Sequence, residues 1–199
     1  MGFDLYGVNP NNPSNIDRPT MDWSTNPSQD AKDEYFKNVD VFEQAVKGHY
    51  FRNNVWWWRP LWEFICISCD DILTEDDMCE GSNNGGHKIG KTKARKIAAR
   101  IRKLNKTGDI KKYEKIRQGV MEKMELEECD LCEGTGYRQP APKAGKGDVP
   151  CNVCNTEHTK EQGIPKGKKE PWALSYPFHT SNVIEFGKFC DESGGFEIC

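Results

Sequence analysis

Apolar residues recur every three or four positions in several stretches of the chain, and this spacing is typical of one face of an α-helix. The first stretch begins after Ser28, whose side chain can cap a helix, and it ends near Lys47, before Gly48. Its apolar positions are Ala31, Tyr35, Val39, Phe42 and Val46. The pattern predicts a helix that lies with this face on the protein core.

A second helical pattern begins near Lys91 and combines a narrow apolar stripe with basic residues on the other faces. The stripe consists of Ala94, Ile97, Ala98, Ile101 and Leu104. A break at residues 106–109 contains Gly108, and helical spacing then continues to about Leu126. We therefore expect two consecutive helices that form a hairpin.

The two ends of the chain carry the remaining elements. Ser181 or Asn182 is expected to cap a last helix, which Gly194 and Gly195 end. The inward residues of that helix are Val183, Phe186, Phe189 and Cys190. Residues 3–6 and 196–199 are predicted to be short strands that pair with each other. The predicted fold class is therefore α+β, mostly helical, with a small terminal β-sheet.

An aromatic stretch at residues 51–62 contains four of the six tryptophans. A stripe with helical spacing consists of Phe51, Val55, Trp58 and Trp62. Because the neighbouring positions are apolar as well, we expect a helix that is buried nearly all round, with Asn53 or Asn54 as its cap. Pro60 lacks the N–H that a helix interior uses, so the helix either kinks at Pro60 or ends at Trp58 and starts again.

Polar residues interleaved with these tryptophans are the candidates for a ligand site. The candidates are Arg52, Asn53, Asn54 and Arg59, together with Trp57. Indole rings stack on nucleobases, and guanidinium groups bind phosphate or carboxylate. Two interpretations are open: a pocket for a phosphate-bearing small molecule, or tryptophans packed in the core beside arginines that pair with Asp or Glu.

Composition changes this picture in two ways. Hydrophobic residues make up 36% of the chain and charged residues 30%, which predicts a modest core and long polar connections. There is neither an apolar run of the roughly 18 residues that span a membrane nor a secretory signal pattern, so we expect a cytoplasmic protein. Thiols stay reduced there, and the nine cysteines, an odd number, are not expected to form a disulfide framework.

Charge is unevenly distributed along the chain. Residues 87–118 contain thirteen Lys or Arg and two acidic residues, a formal charge of +11, so the rest of the chain carries −14. Basic side chains on exposed helix faces can neutralise phosphates, which suggests nucleic-acid binding as an alternative function. The residues proposed for it are Lys96, Arg100, Arg102 and Lys103. The other interpretation is a solvated helical surface that offsets the acidic body or docks on an acidic partner.

Two Cys-x-x-Cys pairs are the strongest chemical signal. Cys129 and Cys132 form the first pair, Cys151 and Cys154 form the second, and 18 residues separate the two pairs. Four thiolates complete a tetrahedral zinc shell, so the spacing predicts one structural Zn²⁺, with an iron centre or unligated thiols as the alternatives. We assign residues 127–164 to an appended zinc-knuckle module and residues 1–126 with 165–199 to a main helical domain.

A second metal site is a weaker possibility. Its candidate ligands are Cys66, Cys69, Cys79 and His87, in an acidic, glycine-rich setting. The spacing is loose, and the favoured interpretation is that these cysteines are small buried thiols.

The first knuckle extends to Cys-x-x-Cys-x-Gly-x-Gly at residues 129–136. This resembles the cysteine-rich zinc module of DnaJ-type chaperones, over about 26 residues. The second knuckle departs from that pattern, because residues 155–157 contain no glycine. The His-Pro-Asp signature of a J-domain is absent, so the resemblance implies a zinc module without a chaperone role.

Longer motifs resemble a family of uncharacterised proteins found in bacteriophages and bacteria. They are Gly2 to Gly7, the segment YFRNNVWWWRPLW at residues 50–62, Tyr176 to Phe178 and GGFEIC at residues 194–199. Against this family, residues 11–47 look like an insertion. The resemblance implies a phage accessory protein that acts in the host cytoplasm, and it implies no activity.

Signatures of hydrolases and phosphate-binding loops are absent from the chain. The leading hypothesis is therefore a non-enzymatic, zinc-containing binding protein that engages a phosphate-bearing small molecule or a host protein. Nucleic-acid binding is the alternative, and a hydrolase or nucleotide-modifying enzyme with an unrecognised site is a second alternative.

Overall fold

The computed structural model describes residues 2–199 and divides them into two compact units. The first unit contains residues 2–115 and 177–199, and the second contains residues 116–176. Helices account for 46% of the residues and strands for 15%, which confirms a mixed fold in which helix predominates. The predicted module at residues 127–164 lies inside the second unit.

The secondary structure alternates short strands with helices. In chain order the elements are β1 (Gly2–Gly7), α1 (Gln29–Ala45), β2 (Tyr50–Asn54), α2 (Val55–Ser68), α3 (Glu75–Glu80), β3 (His87–Gly90), α4 (Lys91–Thr107), α5 (Asp109–Met121), β4 (Glu127–Glu128), β5 (Tyr137–Arg138), β6 (Val149–Pro150), α6 (Glu157–Glu161), β7 (Lys168–Lys169), α7 (Thr180–Glu192) and β8 (Gly195–Ile198), with 3-10 turns at Trp23–Thr25 and Trp172–Ser175.

One four-stranded antiparallel sheet in the first unit has the order β2-β1-β8-β3. Leu5 on β1 faces Phe51 on one side and Ile198 on the other. The two ends of the chain therefore form the middle of the sheet. Strands β2 and β3 were not predicted from the sequence, because each gains its hydrogen bonds from a terminal strand that is remote along the chain.

Helix α2 begins at Val55, so the assignment of Phe51 to a helical stripe is wrong. Phe51 lies in β2, with its ring against Phe186 and Phe189. The predicted cap is confirmed, since the Asn54 side chain accepts a hydrogen bond from Trp57 N at 3.0 Å. Side-chain packing of Phe51 and pairing of β2 with β1 thus override the helical spacing.

Pro60 lies inside a single helix that continues to Ser68, so, of the two alternatives, the one in which the helix ends at Trp58 and starts again is wrong. A proline in a helix interior costs about 3 kcal/mol. Burial of each large apolar side chain contributes about 1.5–3 kcal/mol, and α2 buries several. They are Trp58, Leu61, Trp62, Phe64 and Ile65. Packing therefore outweighs the missing hydrogen bond.

The core of the first unit lies where α2, α4 and α7 pack on the sheet. Trp58 stacks on Trp62 with a ring-centroid distance of 5.3 Å, and Phe186 meets Trp58 edge-on. The predicted stripe of α4 is buried from Ala94 to Ile101. All four predicted inward residues of α7 are also buried. Both patterns are thus confirmed.

Helix α1 has the predicted cap, since Ser28 Oγ accepts from Ala31 N at 3.3 Å. Only its C-terminal end is buried, at Phe42, followed by Val46 in the cap. The rest of its apolar stripe is half-exposed. The expectation that the whole helix lies on the core is therefore wrong, because only the C-terminal end of its apolar face is covered by other residues of the unit.

Helix α7 begins at Thr180, and neither Ser181 nor Asn182 caps it. Glu114 of α5 supplies the cap instead: its carboxylate accepts from Thr180 N at 3.1 Å and from Thr180 Oγ1 at 2.8 Å. Asn182 is buried and accepts a hydrogen bond from Asn53 at 3.0 Å. Helix α5 also ends at Met121, short of the predicted Leu126.

Candidate metal centre

The four cysteines of the two knuckles converge in the second unit. All four are buried, and their sulfur atoms lie within 4.8 Å of one another. Cys129 Sγ is 3.9 Å from Cys151 Sγ, and Cys132 Sγ is 3.5 Å from Cys154 Sγ. Zinc–sulfur bonds of about 2.3 Å in a tetrahedron place sulfurs about 3.8 Å apart. The set therefore fits a tetrahedral metal ion.

Backbone groups surround the sulfurs in two matching sets. Gly136 N donates to Cys132 Sγ, and Gly167 N donates to Cys154 Sγ, each at 3.3 Å. The same two glycines accept from the opposite knuckle: Cys151 N donates to Gly136 O at 3.0 Å, and Cys129 N donates to Gly167 O at 2.8 Å. N–H donors to a thiolate stabilise its charge and orient it toward a metal. Each knuckle is thus hydrogen-bonded to the loop of the other.

Gly167 is the functional residue that sequence reasoning missed. It lies 13 residues after Cys154, because α6 and a turn intervene, whereas Gly136 lies four residues after Cys132. Both glycines have positive φ, +77° for Gly136 and +85° for Gly167. The glycine that residues 155–157 do not provide is supplied from further along the chain. An isolated glycine between two lysines is a weak sequence signal.

Burial of the thiols determines how the centre responds to protons. Burial raises the pKa of the Cys129 and Cys154 thiols above the usual range. Thiols must lose their protons to bind a metal as thiolates. Binding of a metal ion by these thiols would therefore release protons.

Within residues 2–199, these four cysteines are the one group of three or more His, Cys, Asp or Glu side chains close enough to hold a metal. The other candidate set does not converge. His87 Nε2 lies 3.0 Å from Asp77 Oδ1, Cys79 is exposed and Cys69 is buried. Burial raises the pKa of Cys66 to about 11 and of Cys69 to about 12, which keeps these thiols neutral.

The polar residues of the aromatic stretch take different positions in the first unit. Asn53 is buried and bonded to Asn182, and Asn54 caps α2. Arg52 is exposed and lies 3.6 Å from Asp4, measured from Nε to the carboxylate. Arg59 is exposed, and Trp57 is 41% exposed. The asparagines thus hold structure, whereas Arg52, Arg59 and Trp57 reach solvent.

The basic residues of α4 fall into two groups. Arg100 bonds the Asp71 carboxylate through two contacts of 2.9 and 2.8 Å, and it also donates to Ser68 O. Arg102 lies 2.8 Å from Asp191. Lys96 and Lys103 are exposed and have no ion pair with any residue of the described chain. Two of the four proposed phosphate contacts are therefore engaged with acidic residues of the same unit.

Comparison of the chain with protein-family models, curated proteins and solved structures finds no match. Among the described helices, none combines the length and the apolar character needed to cross a bilayer. Among the described residues, the four-cysteine centre is the site best defined by geometry.

Proposed function

We propose that the protein is a non-enzymatic binding protein in which Cys129, Cys132, Cys151 and Cys154 hold one structural Zn²⁺. The proposal rests on the four buried sulfurs lying within 4.8 Å of one another. Four thiolates fill the tetrahedral shell of zinc and leave no position for a water or a substrate. Such an ion stabilises a fold, so the surface that carries the function lies elsewhere.

The zinc assignment is tested by elemental analysis of the purified full chain. We expect one zinc per chain, and Cys132→Ser should remove it. The matched control is Cys79→Ser, which changes an exposed cysteine outside the cluster and should leave the zinc in place. One iron per chain in place of zinc would change the identity of the metal but would leave its proposed structural role unchanged. A folded chain without any metal would refute the proposal.

The partner that we propose is a phosphate-bearing small molecule or a host protein. In support of this, a group of exposed basic residues on α4 and the start of α5 has no ion pair with any residue among 2–199. They are Lys91, Arg95, Lys96, Lys103, Lys106, Lys111, Lys112 and Lys115. Like charges held close together repel one another, and a phosphate-bearing partner relieves that repulsion. The resemblance to a bacteriophage and bacterial family supports a host component, reached in the cytoplasm, as this partner.

Nucleic acid is a second candidate, favoured by the number of these residues on two consecutive helices. Binding through phosphates falls steeply as salt rises, because counterions are released. A Lys103→Ala, Lys106→Ala, Lys112→Ala triple variant should lose binding at low salt and show a shallower salt dependence. A control that removes three lysines elsewhere, at Lys37, Lys143 and Lys168, keeps the net charge equal.

If both triple variants lose the same amount of nucleic-acid affinity, the loss is explained by net charge alone. That result would remove the basis for a binding surface on these helices. Native mass spectrometry of protein purified from a host lysate tests the first candidate directly. It should reveal a bound phosphate-bearing small molecule or a host protein. Nucleic acid alone would favour the second candidate.

A further inference from the structure

Trp57 differs from the buried tryptophans beside it. Trp58 and Trp62 are fully buried, whereas Trp57, in the first turn of the same helix, is 41% exposed. Core packing therefore explains Trp58 and Trp62 but not the exposed ring of Trp57.

Hydrogen bonds hold the backbone of Trp57 on both sides. Its N–H donates to Asn54 Oδ1 at 3.0 Å, and its carbonyl accepts from Asn182 Nδ2 at 3.4 Å. Asn182 is itself fixed by Asn53, and both asparagines are buried. These asparagines thus fix the backbone from which the exposed indole projects, and preorganisation of the backbone reduces the entropy lost on binding.

His179 extends the exposed ring surface. Its imidazole lies 5.0 Å from the Trp57 ring, between centroids, and its side chain is 44% exposed. Glu114 Oε1 lies 3.8 Å from His179 Nδ1 and also accepts from Thr180 N at 3.1 Å. We name Trp57 and His179 together the ring platform.

Glu114 is the charged group in contact with the ring platform, and exposed lysines lie near it on the same helix. Lys111 lies one turn before Glu114 on α5, and side chains at this spacing share one side of a helix. Lys115 lies one turn after Lys111 on the same side of α5. Both lysines are exposed, with no ion pair or hydrogen bond to any residue from 2 to 199. Both oxygens of Glu114 are engaged by Thr180. An anionic ligand is therefore favoured over a neutral sugar, which would need a carboxylate acceptor.

We propose that the ring platform stacks a base of single-stranded nucleic acid while Lys111 and Lys115 neutralise neighbouring phosphates. The inference rests on the nucleic-acid candidate of the proposed function, and it specifies that the nucleic acid bound is single-stranded. Stacking on one aromatic side chain changes affinity by about 5- to 150-fold. That is too little to retain a single nucleotide on an open surface, so further phosphates on the lysines are required. A strand supplies them, and a duplex keeps its bases inside the helix.

The test is fluorescence anisotropy of the full chain with a labelled twelve-nucleotide oligothymidine and with a duplex of equal length, at low salt. The single strand should bind more tightly than the duplex. Trp57→Ala should weaken single-strand binding by about 5- to 150-fold without changing the salt dependence, because no phosphate contact is lost. Trp57→Phe should retain most of the affinity. Lys111→Ala should instead reduce the salt dependence by about one phosphate contact, a slope of about 0.7.

Trp23→Ala is the matched control, because Trp23 is also exposed, at 51%, and lies in the same unit. It should bind like the wild type. Thermal unfolding of each variant reports the fold, and His179→Ala repeats the test if Trp57→Ala is destabilised. Unchanged single-strand binding in Trp57→Ala and His179→Ala, with loss in the lysine triple variant, would overturn the ring platform and leave the nucleic-acid candidate standing.

If the wild type binds neither oligonucleotide, both the ring platform and the nucleic-acid candidate are overturned. Preference for the duplex would overturn the ring platform alone. Quenching of tryptophan fluorescence by a neutral oligosaccharide, lost in Trp57→Ala, would assign the rings to sugar instead and overturn the inference.

Discussion

The substitution Gly167→Ala tests whether the backbone around the four thiols belongs to the metal centre. An ideal Cβ at Gly167 would lie 2.0 Å from the Gly134 carbonyl oxygen, and φ at this position is +85°. The Gly167 N–H donates to Cys154 Sγ, and its carbonyl accepts from Cys129 N. Alanine therefore strains the backbone and separates two loops that each support one pair of sulfurs.

The expected loss follows from three contributions. A left-handed conformation costs an L-residue about 1–2 kcal/mol. The clash with Gly134 displaces two hydrogen bonds, each worth about 0.5–1.5 kcal/mol. Together these amount to about 2–5 kcal/mol, or roughly 30-fold to several thousand-fold in metal affinity at 1.4 kcal/mol per factor of ten.

The assay is competition for zinc between the full chain and a chromophoric chelator. Gly163→Ala is the matched control, because φ there is +71° but nothing lies within 4 Å of the added Cβ. Gly163→Ala introduces the same backbone strain but neither the clash nor the loss of a hydrogen bond to a thiol. Its zinc affinity should therefore fall tenfold or less. If Gly167→Ala and Gly163→Ala lose the same affinity, the hydrogen bonds of Gly167 do not support the centre and the reasoning is refuted.

Three further predictions concern protons and helix ends. Zinc affinity in the same competition should fall as the pH is lowered from 8 to 6, because burial raises the pKa of the Cys154 thiol and zinc must displace its proton; an affinity independent of pH would contradict thiolate ligation. Glu114→Ala should destabilise the first unit by about 1–2 kcal/mol in urea unfolding, because it removes the cap of α7, while the exposed Glu125→Ala should have no effect; equal effects would exclude capping. Burial alone would raise the pKa of Asp77, but hydrogen bonds from its lysine, threonine and histidine partners hold it well below the usual range. Asp77 therefore stabilises the fold above the ordinary carboxyl pKa near 4, and that stability is lost as the pH falls below it. Asp77→Asn should cost about 2–4 kcal/mol at pH 7, and the difference from wild type should narrow in acid; a difference constant with pH would show that the charge is not involved.

Much of the fold could be predicted where the determining interactions are local. The apolar stripe of α4, the inward face of α7 and the caps at Ser28 and Asn54 all follow from spacing within a few residues. The two Cys-x-x-Cys pairs belong to the same class, because a turn of four residues by itself directs two sulfurs to one side. These features need no information about the rest of the chain.

Other features depend on residues that are distant in sequence. Strand β2 exists because β1 pairs with it, and α7 begins at Thr180 because Glu114 of another helix binds its first N–H. Arg100 looks like a phosphate contact in sequence, but Asp71 engages it. In each case the partner lies at least 29 residues away, and helical periodicity carries no signal for it.

The metal centre and the aromatic stretch show the same division. The sequence by itself determined the four candidate sulfur ligands and the presence of a tryptophan-rich helix. Only the tertiary structure decided that Gly167 completes the second knuckle and that Trp57 alone among Trp57, Trp58 and Trp62 faces solvent. Ligand identity and helix spacing are encoded over a few residues, whereas a hydrogen bond to a buried thiolate and the exposure of a ring depend on which distant segments pack beside them.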